Sequence, residues 1–166
     1  MTLTVEAMTE ISFEITHADR PALEKILSSS GYFYDFEIEV ALSLADETAE
    51  KGQESSGYYW VRLLDNGEVI GFACFGPNPS SVHSWDLYWI AIQEEQRQKH
   101  YGSVILKNAE ERISSMKGKI VWIETSGRPL YEPTRHFYLR NGYELAATLR
   151  EFYGPGDDKL VYRKVL

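Results

Sequence analysis

The chain has 166 residues, 43% of them hydrophobic and 25% charged, and a net charge of −8. This size and composition are those of one ordinary globular domain, and they exclude a fibrous or disordered protein. The acidic balance argues against nucleic acid as a partner, because a general nucleic-acid binder needs a basic surface to neutralise phosphates.

The sequence predicts neither a membrane segment nor a secretion signal. No apolar run reaches the roughly 18 residues of a membrane span, and the N-terminus lacks a basic segment followed by an apolar one. Cys74 is the only cysteine, which excludes an internal disulfide and fits a reducing compartment. We therefore expect a single cytoplasmic domain over residues 1–166, with no membrane partner.

The first third of the chain predicts one strand and two helices. Residues 10–16 alternate apolar and polar side chains, which is typical of a half-buried strand. An Asp-x-Pro pattern ending at Pro21 predicts a helix start, and this helix runs to the SSSG break at 28–31. A second helix is expected over about 35–49, followed by a loop at 52–57.

Acidic side chains are concentrated between Tyr32 and Ser56, where seven acids accompany a single base, Lys51. We expect this region to line a site for a cationic partner. An ordinary solvated helix face is the alternative, and both stay open at this point. The seven acids are Asp35, Glu37, Glu39, Asp46, Glu47, Glu50 and Glu54.

The middle of the chain predicts a hairpin and then a buried strand. Residues 58–64 and 68–76 flank Asn66-Gly67, the strongest short signal for a tight turn between antiparallel strands. The near-continuous apolar run at 85–92 predicts a central strand that is covered on both faces.

The second half predicts two helices and three strands. Apolar spacing over 102–116 predicts an amphipathic helix that packs on the sheet and stops at Gly118. A strand is expected at 119–125, then a short helix at 131–140 and two last strands around a GPGDD loop. The resulting order, β-α-α-β-β-β-α-β-α-β-β, describes a mixed α/β fold.

The stretch QRQKHYGSVILK, residues 96–107, changes from a basic run to a helical apolar pattern. Its place after a buried strand would aim the free amides of a helix N-terminus at one point, with Arg97, Lys99 and His100 adding positive charge. A phosphate or diphosphate would fit there, and Gly102 would permit a close approach. Many exposed strand–helix turns carry such residues without a ligand, and neither a Walker loop nor the G-x-G-x-x-G fingerprint is present.

The longer run DLYWIAIQEEQRQKHYGSVILKNAEERI resembles the acyl-CoA-binding segment of the GNAT N-acetyltransferase superfamily. That family's loop follows the pattern [RQ]-x-x-G-x-[GA], and residues 97–102 here are Arg-Gln-Lys-His-Tyr-Gly. The later stretch YEPTRHFYLRNGYE resembles the family's second signature, and the element order matches along essentially the whole chain. The resemblance implies a GNAT-like acyl-CoA N-acyltransferase fold with acetyl-CoA as the cofactor. His100 departs from the pattern, because it stands where the family usually has its first glycine.

The resemblance also implies how the cofactor is held. Main-chain groups of the strand would pair with the pantetheine arm, and amides of the following loop would hold the diphosphate. Tyr131 falls where many relatives have an asparagine that contacts the cofactor. Arg135, one helical turn before Tyr138, would reach a phosphate or the acceptor, and an ordinary exposed position is the alternative for it. The implied cofactor-binding residues are Ile90, Ala91, Ile92, Arg97, Gln98, Lys99, His100, Tyr101, Gly102, Ser103, Tyr131 and Arg135.

Acetyl transfer from a thioester to an amine requires two proton movements. An alkyl amine with a pKa of about 10.4 must lose a proton before it attacks, and the departing thiolate must gain one. By the resemblance, Tyr138 matches the tyrosine that lies beside the cofactor sulfur, where it would protonate the thiolate. The alternative for Tyr138 is a packing role at an interface, with its hydroxyl hydrogen-bonded.

Two carboxylates are candidates for the base. Asp86 opens its strand where the histone-acetylating branch of the family carries a catalytic glutamate, and Glu124 ends the following strand. Strand alternation would place Asp86 on one face with Tyr88, Ile90 and Ile92. Apolar neighbours would raise the pKa of Asp86 by desolvation. Either carboxylate would act directly or through water, and an ordinary strand-end role stays open for both.

These residues favour an N-acetyltransferase that binds acetyl-CoA and a primary amine together and transfers the group directly. The acceptor would be a small cationic amine, a lysine side chain or a protein N-terminus. A non-catalytic acyl-CoA-binding module and a nucleotide-phosphate binder remain open alternatives. Cys74 is expected to be a small buried packing residue. No metal is expected, because the histidines show no metal-ligand spacing. The aromatic C-terminal strands would suit a homodimer.

Overall fold

The computed structural model describes residues 8–166, which form one sheet with helices on both of its faces. The strands are β1 (Thr9–Ser12), β2 (Tyr59–Asp65), β3 (Glu68–Pro77), β4 (Ser84–Ile92), β5 (Ile120–Ser126), β6 (Glu144–Gly154) and β7 (Asp157–Val165). The helices are α1 (Arg20–Ser29), α2 (Asp35–Lys51), α3 (Gln53–Ser56), α4 (Tyr101–Ser115) and α5 (Glu132–Arg140). Within this part of the chain, no helix has the length and apolar character needed to cross a bilayer.

The strands are arranged in the order β1-β2-β3-β4-β5-β7-β6, which places β4 at the centre of the sheet. β4 and β5 are parallel, and each of the other neighbouring pairs is antiparallel. The predicted mixed α/β fold is therefore confirmed. One element was not predicted: α3 forms inside the expected loop, because Gly52 and Gly57, with φ of 82° and 77°, let the chain turn at both of its ends.

The predicted hairpin forms between β2 and β3. Asn66 and Gly67 have φ of 49° and 82°, the backbone of the turn that matches the twist of paired strands. β3 is buried along almost its whole length, and Cys74 within it is fully buried. Burial raises the pKa of the Cys74 thiol well above its usual value, so this cysteine is a packing residue, as expected, and not a nucleophile.

The sheet separates two hydrophobic cores. One core contains Leu87 of β4 and Ile105 of α4, together with Tyr138 of α5. The core on the other face contains Leu42 of α2 and Trp60 of β2. The amphipathic helices therefore sandwich the sheet, with α1 and α2 on one face and α4 and α5 on the other.

Gly118 follows α4 for a reason other than the predicted one. The left-handed residue after this helix is Lys117, with φ of 68°, and not the glycine. Gly118 is instead required for space, because a Cβ atom there would lie 2.3 Å from Ile113 and 2.6 Å from Trp85. The glycine lets the end of the helix pack closely against the first residues of β4.

A β-bulge interrupts β4. Cys74 of β3 lies opposite Trp89, whereas the next residue, Phe75, lies opposite Leu87. Tyr88 is therefore the extra residue of the central strand. A bulge of this kind reverses the alternation of side chains beyond it, because the side-chain period of a strand is two residues.

The bulge corrects two expectations about β4. Ile90 and Ile92 pack against the same core as Leu87, so they do not share the face of Asp86, as strand alternation had predicted. The strand is also not covered on both faces, because Asp86 is half-buried and Tyr88 is 37% exposed. The uncovered part of β4 borders the cleft described next.

Candidate active site

A cleft opens where β4 and β5 separate. Their parallel pairing ends at Leu87 and Ile123, after which β4 continues beside β3 and β5 continues beside β7. The cleft has a volume of about 900 Å³, and its walls also include the α1–α2 segment, the start of α5 and the β6–β7 turn. One edge of β4 beyond Leu87 therefore presents main-chain donors and acceptors to the cleft. Ile90, Ala91 and Ile92, the predicted cofactor residues of this strand, all line it.

The loop between β4 and α4 has a left-handed backbone at two residues that are not glycine. Gln98 and His100 have φ of 63° and 62°, and His100 immediately precedes the first residue of α4, Tyr101. Histidine is among the non-glycine residues that tolerate this conformation. His100 thus adopts the left-handed conformation that the glycine of the family pattern would adopt without strain.

The predicted cofactor residues of this loop divide into two groups. Arg97 and Gln98 line the cleft, whereas residues 99–103 lie beyond its wall. Gly102 serves packing, because a Cβ atom there would lie 3.1 Å from the ring of Phe137 on α5. Contacts of residues 99–103 with a ligand stay a prediction, and the free amides of the first turn of α4 are the main-chain donors available there.

Arg97 and Tyr131 both contact the segment between α1 and α2. The Arg97 guanidinium lies over the ring of Tyr32, and its Nη2 donates a hydrogen bond to the carbonyl of Ser30. The Tyr131 hydroxyl donates to the carbonyl of Tyr32. Both residues line the cleft, so the two predicted cofactor residues also connect its cofactor side to its acceptor side.

Arg135 lies outside the cleft wall. Its Nη1 donates to the carbonyls of Ser126, at 3.1 Å, and of Arg128, at 2.8 Å. These bonds satisfy carbonyl groups at the turn that follows β5, which need donors once the strand ends. The Arg135 guanidinium thus fixes the backbone before α5, and its expected contact with a phosphate or an acceptor stays a prediction.

Tyr138 reaches the cleft from α5 and is 5% exposed. Its ring packs against Phe137, Tyr143 and Tyr162, with centroids 5.5, 6.0 and 5.9 Å away. Burial raises the pKa of Tyr138 well above its ordinary value. The phenol is therefore a neutral proton donor at neutral pH, held in one orientation by the aromatic rings around it.

Asp86 is half-buried in the cleft wall, on the strand that faces β5. The side-chain amide of Asn78 donates to its Oδ2 at 2.9 Å. Burial raises the pKa of Asp86, the hydrogen bond from Asn78 partly offsets this rise, and the charge of Glu124 adds to it. A raised pKa makes the carboxylate a stronger base, which suits removal of a proton from an amine.

Glu124 lines the same cleft from β5, but a lysine engages its carboxylate. Lys159 Nζ lies 2.8 Å from Glu124 Oε2, and the lysine side chain is only 13% exposed. The same ammonium lies 3.7 Å from the centroid of the Phe152 ring. Because Lys159 occupies one carboxylate oxygen of Glu124, whereas Asp86 has no ion-pair partner within residues 8–166, we favour Asp86 as the candidate base.

The prediction that the acidic residues between 32 and 56 line the acceptor side is wrong for most of them. Of the seven acids, Glu37 lines the cleft and the other six do not. Asp46 accepts a hydrogen bond from Arg20, and Glu47 forms an ion pair with Lys51 at 3.0 Å, one turn along α2. The acids are mostly on the solvent face of α2, because its other face packs into the core.

Aromatic side chains form much of the acceptor-side wall instead. Tyr34 and Phe36 stack at the start of α2, with ring centroids 5.6 Å apart, and both line the cleft. Tyr153 contributes from the end of β6, and an ion pair of 3.1 Å joins Arg128 to Asp157 on the same side. Sequence reasoning missed these residues because it followed the charges, although the run YFYDF at 32–36 was an available signal.

Comparisons with known proteins agree on one family. The model of the acetyltransferase (GNAT) family matches residues 20–143. A structure from Desulfovibrio desulfuricans, described as of the GNAT family, has a TM-score of 0.92 and 32% identity, covering 95% of this chain and 99% of that one. The chain also shares its fold with Escherichia coli ribosomal-protein-S18-alanine N-acetyltransferase (TM-score 0.75, 17% identity, 95% and 94% covered). PaiA N-acetyltransferase of Thermoplasma acidophilum, solved with coenzyme A, is also similar, with a TM-score of 0.72 and 15% identity over 96% of this chain and 99% of that one. No curated protein matches the chain.

Proposed function

The chain belongs to the GNAT acetyltransferase family, and we propose that it moves the acetyl group of acetyl-CoA onto a primary amine. Both substrates would occupy the cleft between β4 and β5 together, so that the transfer is direct. The proposal rests above all on one observation. A carboxylate and a phenol, Asp86 of β4 and Tyr138 of α5, line the same cleft from different elements.

The cleft suits the shape and charge of CoA. The open edge of β4 offers main-chain groups to an extended amide arm, in the way that strand edges bind peptides. The first turn of α4 has free N–H groups, which favour a diphosphate. Ile90, Ala91 and Ile92 would therefore hold the arm, and the amides from Gln98 to Ser103 would hold the diphosphate. Bound acetyl-CoA supplies an activated thioester carbonyl.

Asp86 would act as the base. At neutral pH an alkyl amine enters the cleft as an ammonium ion. Asp86 accepts one of its protons, directly or through one water, and the raised pKa of this carboxyl favours the transfer. The neutral nitrogen would then form a C–N bond to the thioester carbon as the C–S bond breaks, and the new amide nitrogen would release its excess proton to solvent.

Tyr138 would donate its proton to the departing sulfur. Its phenol is neutral in the free protein because burial disfavours the phenolate. Packing between aromatic rings also fixes the position of the phenol ring and of its oxygen, which favours proton transfer at one place in the cleft. Solvent then returns a proton to the Tyr138 phenolate and accepts the proton held by Asp86 before the next cycle.

The acceptor would be a cationic amine that also presents some apolar surface. Within residues 8–166, Glu37 and Asp86 line the cleft without an ion-pair partner, and Arg97 is the one such cation, so the wall carries a small net negative charge. The stacked rings of Tyr34 and Phe36 add faces that attract cations. A small cationic amine, a lysine side chain and a protein N-terminus all meet these requirements.

CoA release in the presence of these three kinds of amine tests the proposal. The wild-type protein should release CoA faster with at least one of them, and Tyr138→Phe and Asp86→Asn should slow release while calorimetry still detects CoA binding. Binding of acetyl-CoA without any amine-dependent release would support a non-catalytic acyl-CoA-binding module instead. Tighter binding of ATP than of CoA would contradict both.

A homodimer in the cytoplasm remains part of the proposal. β6 lies at the edge of the sheet with residues 144–153 all exposed, among them Leu145 and Leu149. A long apolar edge strand is usually covered, and strand pairing with a second copy would cover this one. Light scattering should give twice the chain mass of 19.1 kDa, and Leu149→Lys should give a monomer. A wild-type monomer would contradict the dimer.

A further inference from the structure

Two residues assigned to the cofactor contact Tyr32 from different elements. The Arg97 guanidinium lies 5.1 Å from the centroid of the Tyr32 ring, and Arg97 Nη2 donates to the Ser30 carbonyl at 3.3 Å. The Tyr131 hydroxyl donates to the Tyr32 carbonyl at 2.5 Å, and the two tyrosine rings lie 5.5 Å apart. The segment between α1 and α2, which forms the acceptor-side wall, is thus held by residues of the cofactor side.

Arg97 would have a second possible partner, the diphosphate, once CoA binds. It is the arginine of the loop before α4, and it lines the cleft beside the helix turn proposed to hold the diphosphate. Its contacts in the free protein are one neutral carbonyl, at a long 3.3 Å, and the face of one phenol ring. Charge-assisted, bidentate hydrogen bonds to a phosphate are stronger than either contact. A diphosphate should therefore displace Ser30 and Tyr32 from the guanidinium.

We propose that Tyr32 and Ser30 hold Arg97 in the free protein and that the CoA diphosphate binds Arg97 in their place. Because CoA must enter the cleft, this exchange depends on the proposed function. When Arg97 turns to the diphosphate, the α1–α2 segment loses its contacts with Arg97 and keeps those with Tyr131. Cofactor binding thereby loosens the acceptor-side wall.

The exchange predicts a measurable effect on the affinity for CoA, because Tyr32 and the diphosphate compete for Arg97. A side chain that competes with a ligand for Arg97 lowers the affinity for that ligand, so removal of the Tyr32 ring should tighten CoA binding. The loss of one cation–π contact corresponds to a change of about three- to tenfold. A purely structural role for Tyr32 predicts the opposite, because a damaged cleft binds its ligand less well.

Calorimetric titrations with CoA and with pantetheine, which lacks the diphosphate, measure this effect. The ratio of the two dissociation constants is the useful quantity, because lost packing against the shared arm weakens both ligands alike. In Tyr32→Leu the preference for CoA over pantetheine should rise about three- to tenfold. Tyr32→Phe, which keeps the ring, and Tyr34→Leu, a matched tyrosine that stacks on Phe36, should keep the wild-type ratio. An unchanged or lower ratio in Tyr32→Leu overturns the proposal.

Hydrogen exchange of the wild-type protein tests the same exchange without any substitution. Amides from residues 30 to 34 should exchange faster in the CoA complex than in the pantetheine complex, because only CoA carries the diphosphate. Equal exchange in the two complexes would overturn the displacement of Arg97 while leaving CoA binding, and the proposed function, intact. Failure of CoA to bind at all would overturn the proposed function as well.

Discussion

The two walls of the cleft are built from the chain in different ways. The wall proposed to hold the cofactor comes mainly from one continuous stretch, β4 and the first part of the loop that follows it. The acceptor wall is assembled from the α1–α2 segment, the residues after β5 and the β6–β7 turn, which are far apart in sequence. A continuous wall leaves a motif that can be recognised in the sequence, whereas an assembled wall becomes visible only in the folded protein.

The walls also differ in the chemistry they present. The cofactor wall offers main-chain groups, which tolerate changes of side chain such as His100 in place of glycine. The acceptor wall offers side chains, chiefly aromatic rings and carboxylates, so each substitution there changes what it binds. We therefore expect changes in the two walls to act on different kinetic constants, and changes at the reacting groups between them to act on turnover.

The largest effect should come from Tyr138→Phe, which removes the proton donor to sulfur. Loss of general acid catalysis typically costs between about a hundredfold and ten-thousandfold, so kcat should fall by about a thousandfold. The dissociation constant of CoA should stay within about twofold, because the ring that packs against Tyr143 and Tyr162 is retained. Stopped-flow measurement of thioester loss checks this, and a kcat near the wild-type value would assign Tyr138 to packing alone.

Asp86→Asn should lower kcat/KM by about a hundredfold, through loss of the base. In the wild type kcat/KM should rise with pH through the pKa of Asp86, which lies above the ordinary aspartate value because of burial. This acidic limb should disappear in the variant. Glu124→Gln is the matched control, since Glu124 is bound by Lys159, and it should keep the limb. The reverse pattern would make Glu124 the base.

Phe36→Ala should act on the acceptor wall alone. The substitution removes one ring of the pair that Phe36 forms with Tyr34, so KM for the amine should rise about five- to tenfold with little change in kcat. CoA affinity, measured by calorimetry, should not change. An equal loss of CoA affinity would show that the two walls are not separate in function.

The same Asp86→Asn variant should be more stable than the wild type at neutral pH. Because the pKa of Asp86 is raised in the folded state, the wild type loses stability as pH rises from the ordinary aspartate value of about 3.9 through the raised one. Asparagine does not titrate, so the melting temperature of the variant should exceed that of the wild type at pH 7 and approach it near pH 3. A variant that is equally or less stable at pH 7 would contradict a raised pKa.

The smallest effect should come from His100→Gly. The left-handed φ of 62° strains histidine but not glycine, and this gain is offset by the greater freedom of glycine in the unfolded chain. We expect unfolding free energies within about 1 kcal/mol and CoA affinities within about twofold, since the loop would act through its amides. A large loss of CoA affinity would instead show that the imidazole contacts the phosphates.

The parts of the fold that follow from local signals were predictable. Asn66-Gly67 predicted the hairpin, and the change of pattern within 96–107 predicted a loop that leads into a helix. The bulge at Tyr88 was not predictable, because one inserted residue leaves no mark in a run that is apolar throughout. It reversed the alternation on which the face of Asp86 had been placed.

The acceptor wall was beyond sequence reasoning for a related reason. A count of charges between 32 and 56 cannot tell which of them α2 turns toward solvent, and Glu37 proved to be the one that lines the cleft. Arg135 likewise has an ordinary helical spacing from Tyr138, but its partners are carbonyls that only the folded turn brings close. Long-range contacts of this kind, including that of Arg97 with Tyr32, depend on tertiary packing.

A crystal structure of the protein with CoA bound would test the central claim most directly. CoA is expected to lie between β4 and β5 where their pairing ends, with its arm along Ile90–Ile92, its diphosphate at the first turn of α4 and its sulfur beside the Tyr138 hydroxyl. A ligand found outside this cleft, or a sulfur directed away from Tyr138, would contradict the account.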